Sequence, residues 1–250
     1  MCCFSGPVDS VADTRIFARF VGNRKQVVVY QMTYEAKTPL AMILPIPTPP
    51  KSPDDAVTFV NLEDYESLFD DLKAGFPEPR PRGQVFGGGL GGIAANSEPP
   101  LAVEDVGAFV ASFVPSIADF GRLDKQFRLG DDVWQKLPQY KDYGFAVFQL
   151  KPEAKTVHPM AFKFPTRARA GLFLPTVHIH DGKVHEQADF DHDLYIQLPD
   201  MMTTPRGWRE SPSLAGEFVE IERTKGLING EEHCYKLRLK GKLKNQDTWL

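Results

Sequence analysis

The sequence predicts an α+β fold, predominantly antiparallel β-sheet with about three short helices. Three observations lead there. Segments in which β-branched and aromatic residues alternate with polar ones recur from one end of the chain to the other. Helical periodicity is confined to a few short stretches. The order of strands, then helices, then strands lacks the regular βαβ alternation of a parallel sheet.

TRIFARFVGNRKQVVVYQMTY, residues 14 to 34, reads as two strands around a turn at Gly22-Asn23. PLAMILPIPTPP, 39 to 50, begins as an apolar strand and ends in prolines, which lack the N–H that would continue a ladder. In NLEDYESLFDDLKAGF, Leu62, Tyr65, Leu68, Phe69 and Leu72 fall on one helical stripe. Asn61 is placed to cap it, and Gly75 to end it in the left-handed conformation.

Residues 77 to 100, PEPRPRGQVFGGGLGGIAANSEPP, have no period and read as a long loop or lid. Their GGGLGGI lacks the Lys-Ser/Thr and the following helix of a phosphate loop, so no nucleotide is expected. VGAFVASFV, from 106, reads as strand; short helices follow at Ser116, with Asp119 in capping-box position, and over DDVWQKL, which Pro138 stops. FAVFQL, HPMAFKF, LFLPTVHIH and VHEQADFDHDLYIQL continue the sheet. The subregion 200 to 250 has weaker strands, EFVEIER and an edge-like HCYKLRLKGKL. With no internal repeat, 1 to 250 is read as a single β-rich domain.

Composition narrows the function. The chain is 42% hydrophobic and 25% charged, with 18 Phe, enough to build a large core. A net charge of −4 excludes a general nucleic-acid binder, which needs a basic face. No apolar run is long enough for a membrane helix, and MCCFSGPVDS has no signal-peptide pattern, so a cytoplasmic protein without membrane partner is expected. In such a compartment Cys2, Cys3 and Cys234 are expected as thiols.

The richest chemistry lies in VHIHDGKVHEQADFDHD, which holds His178, His180, His185 and His192, four of the chain's six histidines. Asp181-Gly182 is a favoured pair for a two-residue hairpin turn, which would set His178 opposite His185 and leave His180 on the same face. Three neutral imidazoles suit a transition metal, with Zn, Cu or Fe the candidates and Cys2 or Cys3 as added soft ligands. Lys183 falls on that face too and opposes a cation. His192 alternates with Phe190 and Leu194 and is expected in the core. The pattern partly resembles the cupin H-x-H signature without its glycine and glutamate spacings. His158 reads as structural, His233-Cys234 is a ligand pair by residue type but adjacent strand residues face opposite ways, and no nucleophile elbow surrounds Ser5 or Ser10.

Several blocks together are similar to the bacterial family known as domain of unknown function 2330: the cysteine pair with Pro7-Val8 and RIFA (15 to 18), VVVYQMTY, ILPIPTPP, YESLFDDL, VEDVGAFVASF, DYGFAVFQLK and HPMAFKFPT. That resemblance implies a shared fold over residues 2 to 166 and no activity. The opening Met-Cys before a strand ending FAR also resembles N-terminal nucleophile hydrolases, which implies a catalytic Cys2 with its own amine as base and Arg19 as the early arginine. Three functions are thus expected to compete: a metal-binding protein or metalloenzyme, an amide hydrolase, and a non-enzymatic binding protein.

Overall fold

The computed structural model describes residues 2 to 22, 24 to 77, 104 to 106, 109 to 152, 154 to 168, 171 to 198 and 204 to 250. Its strands in chain order are β1 (Cys2–Phe4), β2 (Ser10–Phe20), β3 (Lys25–Glu35), β4 (Leu40–Ile46), β5 (Thr58–Asn61), β6 (Glu104–Val106), β7 (Phe109–Val114) and β8 (Gly144–Leu150). They continue as β9 (Ala154–Thr156), β10 (Met160–Pro165), β11 (Phe173–Leu174), β12 (His178–Ile179), β13 (Gln187–Ile196), β14 (Arg209–Leu214), β15 (His233–Lys244) and β16 (Thr248–Trp249). Two short α-helices, α1 (Leu68–Ala74) and α2 (Asp131–Gln135), and several single 3-10 turns complete the described elements. Most pairings are antiparallel, as expected. Two are parallel, β1 with β12 and β2 with β13, so the sheets are mixed.

A six-stranded sheet runs β12-β1-β4-β8-β7-β6, and an eight-stranded sheet runs β14-β15-β13-β2-β3-β10-β5 with β9 added to β3. They face each other: Phe148 of β8 and Phe162 of β10 bring their rings to 5.9 Å. The larger sheet is covered on both faces. Val28, Tyr30 and Met32 of β3 join the core between the sheets, while Val27 and Val29 join a second core with Leu62, Tyr65, Phe69 and Leu72. Val27 to Tyr30 are therefore apolar without alternation, as a strand buried on both faces requires.

Two local readings change. Gly75 ends α1 at φ −63°, not left-handed; its missing side chain instead admits Phe218, whose ring carbon lies 2.4 Å from where a Cβ would sit. EFVEIER forms 3-10 turns at Ala215–Glu217 and Ile221–Thr224 instead of a strand, because Ala215, Val219 and Ile221 are needed in the second core beneath α1. Asn61 Oδ1 accepts from the Glu63 N–H at 2.8 Å, but the helix it was expected to cap is interrupted: Glu63–Tyr65 is a 3-10 turn and α1 begins only at Leu68, with Ser67 at its N-cap. The Pro/Gly-rich stretch from 78 to 103 lies outside the described residues. Among the described residues no helix is long and apolar enough to cross a membrane.

Candidate functional site

The parallel pairing of β1 with β12 sets the backbone of Cys2 beside His178 and that of Cys3 beside Ile179. Sequence alone gave no reason to bring the amino terminus to the histidine segment. The expected hairpin around Asp181-Gly182 does not form: β12 is only two residues long and spends its ladder on β1. Gly182 does take a positive φ of 70°, and the Lys183 N–H donates to the Asp181 carboxylate at 3.0 Å, so the turn survives without the strands it was expected to join. Asn245 does the tying instead. Its Oδ1 accepts from the His178 N–H at 2.7 Å, and its Nδ2 donates to the carbonyls of His178 (2.9 Å) and His185 (3.0 Å).

Without the hairpin, the expected trio changes. His185 turns outward, is more than half exposed, and bonds the Asp181 carboxylate at 3.0 Å; that contact holds the Asp181 pKa below its ordinary value. In its place stands His192. Phe190, His192 and Leu194 share the face of β13 that looks toward the smaller sheet, and there His192 meets His178, Nε2 to Nε2 at 3.0 Å. The His178 ring also lies 4.9 Å from that of His180 and 4.6 Å from that of Phe190. His192 is therefore buried as expected, yet it is not alone.

His178, His180 and His192 form one wall of a pocket of about 360 Å³, whose other walls include Val11, Ala12, Thr14, Asp189, Asp191 and the exposed His185. A β-bulge shapes it: β2 carries one extra residue between Ala12 and Arg15, with Asp13 at φ 49°, where the strand passes the histidines. Lys183 is not among the lining residues, so the cation expected to oppose a metal points elsewhere.

Burial first, and the positive amino terminus second, lower all three imidazoles: His178 to about 3, His180 to about 4, and His192 further still. All three are neutral at pH 7. One nitrogen on each of two rings, His192 Nδ1 and His180 Nε2, is buried without a hydrogen-bond partner. Such groups ordinarily cost about 1 to 3 kcal/mol each when left unsatisfied. Among the described residues, no three His, Cys, Asp or Glu side chains stand ready to hold a metal ion.

The cysteines divide. The Cys2 side chain, proposed as nucleophile and ligand, lies outside the described residues. Cys3 is fully buried in the core between the sheets. Cys234 is buried in the second core, and burial pushes its thiol up to about 12, far from a reactive thiolate. Its neighbour His233 bonds the Ser211 carbonyl at 2.9 Å, and His158, expected to be structural, packs its ring 4.3 Å from Phe109. Arg19 lies 3.8 Å from Glu232, on the side of the larger sheet where Cys234 is buried, not with the histidines.

No protein-family model matches the chain, and no curated protein sequence is similar to it. Solved structures are. A mutated baculovirus p35 after caspase cleavage matches with a TM-score of 0.50 and 13% identity, over 96% of this chain and 99% of that one. Baculovirus p35 matches with a TM-score of 0.49 and 16% identity, over 97% and 96%. The p35 of a caspase-8/p35 complex matches at 0.47 and 13%, over 96% and 95%. The likeness to the cleaved form is one of fold, and it runs from end to end.

Proposed function

We propose that this protein is a non-enzymatic protein ligand of a cysteine protease of the caspase class. The observation that carries the reading is the fold match to cleaved p35, which leaves almost no part of either chain unaccounted for. Fold alone does not dictate function. Two features of this chain add support. The histidines nearest the amino terminus are buried, neutral and bonded to one another, an arrangement that suits neither a general base nor an oxyanion donor. Residues 77 to 100 have the Pro/Gly-rich composition of segments that proteases engage.

The test is inhibition and complex formation with purified proteases of this class. One selective for aspartate and one for arginine should be compared, because residues 78 to 103 contain Arg80 and Arg82 but no aspartate. The expected result is stoichiometric loss of peptidase activity, or co-elution, with the arginine-selective enzyme at about 10 μM, enough to populate a micromolar complex. If neither enzyme is inhibited, retained or able to cut the chain at that concentration, the reading fails.

A further inference from the structure

The geometry points to a transition-metal site between the two sheets, built on His178 and His192 and completed by His180. The trio His178, His180 and His185 that a hairpin would have made is not the one the fold assembles. Two Nε2 atoms 3.0 Å apart can share a hydrogen bond, but that alone leaves His180 Nε2 unpartnered in the interior. The same separation is what two imidazoles show when both coordinate one ion at ~2.0 to 2.1 Å, with an angle between them of about 90°. An ion bound to both Nε2 atoms takes the place of this hydrogen bond, and the proton it displaces moves to the Nδ1 of the ring that carried it. His180, half-buried with its ring 4.9 Å from His178 and its Nε2 unsatisfied, supplies a third nitrogen by turning its side chain.

The chemistry of the surroundings agrees. His178 and His192 are both buried, so their facing Nε2 atoms are turned to each other and away from bulk water. The amino-terminal charge opposes a dication, and the carboxylates on the pocket wall, Asp181 bonded to His185, Asp191 paired with Arg238, and Asp189, place negative charge near it. The pocket has room for the water molecules that fill the remaining positions. The Asn245 bonds to the His178 backbone hold the first ligand in place, the kind of outer support that metal sites depend on. Nitrogen donors without sulfur or a direct carboxylate suit Zn²⁺, Co²⁺ or Cu²⁺ over Mg²⁺ or Ca²⁺. This site is independent of the protease reading, and either can stand without the other.

The experiment titrates untagged full-length protein with Zn²⁺ against a chromophoric chelator, and with Co²⁺ by visible absorption. The expected result is one equivalent bound, with affinity at least tenfold lower in His178→Asn and His192→Asn and unchanged in His185→Ala. Because His192 is in the core, folding of each variant is checked by circular dichroism. A second readout needs no substitution: Zn²⁺ should shift the imidazole ¹⁵N resonances of His178 and His192 in the wild-type protein. Binding below about a tenth of an equivalent, or ¹⁵N shifts confined to His185, overturns the proposal.

Discussion

His178 and His192 come from different sheets and touch through their Nε2 atoms at 3.0 Å. In metal-free protein this contact carries a pH signature. An unfolded chain protonates these rings near 6.5, whereas the folded one resists until about 3 for His178 and about 4 for His180. Below pH 6.5 the unfolded state therefore binds more protons. Stability is complete above that value and drains as pH falls toward 4, with each histidine contributing a slope of up to about 1.4 kcal/mol per pH unit. Denaturant unfolding of chelator-treated protein at pH 7, 6, 5 and 4 should show this decline, with a shallower one in His178→Gln. Equal stability at pH 7 and pH 4.5 would contradict the burial of neutral imidazoles.

Asn245 replaces a missing strand by bonding the backbone of His178 and His185 three times. Asn245→Ala leaves those groups to water or to nothing. The expected cost is about 1 to 3 kcal/mol, with faster hydrogen exchange at the His178 amide than in the wild type. Unchanged exchange there would show that the β1 pairing alone holds β12.

Gly75 and Phe218 make a size argument that backbone conformation does not. Gly75→Ala drives a Cβ into the Phe218 ring, an overpacking cost of about 1 to 3 kcal/mol in thermal or denaturant unfolding. Gly121→Ala is the control. Nothing lies within 4 Å of its added Cβ, and it should be near neutral.

Asp193 is nearly buried between Lys236 at 3.0 Å and Arg238 at 3.1 Å. Asp193→Asn leaves a partly buried ammonium without its counter-charge, at an expected cost of about 3 kcal/mol. The double variant Asp193→Asn, Lys236→Met should recover part of that loss. If it recovers none, the pair is not coupled.

Where a residue's role depends on its neighbours along the chain, it was legible in the sequence. The β2–β3 hairpin, the stripe from Leu62 to Leu72, the proline exit after β4 and the burial of His192 all follow from local period and turn chemistry. The site was half legible. His178 and His180 were named, but the third ring was assigned to His185 because Asp181-Gly182 is a strong hairpin signal. That signal lost to long-range competition: β1 took the edge of β12, and Asn245, 67 residues beyond His178, took its backbone. No local pattern encodes a parallel pairing between the two ends of a chain. The bulge at Asp13, which shapes the pocket, was equally invisible, since its φ of 49° leaves no mark in SVADTRIF.

The two parallel pairings also govern how the protein is made. Residues 2 to 3 pair with 178 to 179, and residues 14 to 18 pair with 192 to 196. During synthesis the first strands emerge early and wait for partners nearly two hundred residues behind them. Meanwhile β2 and β3 can form their hairpin, but β2 exposes an apolar edge until β13 arrives. Long-range pairing of this kind slows folding and prolongs exposure to aggregation. A truncated chain ending before β12 should therefore be insoluble even though it contains most of the core, and refolding of the whole chain should be limited by the late pairing of β1 and β2 with β12 and β13.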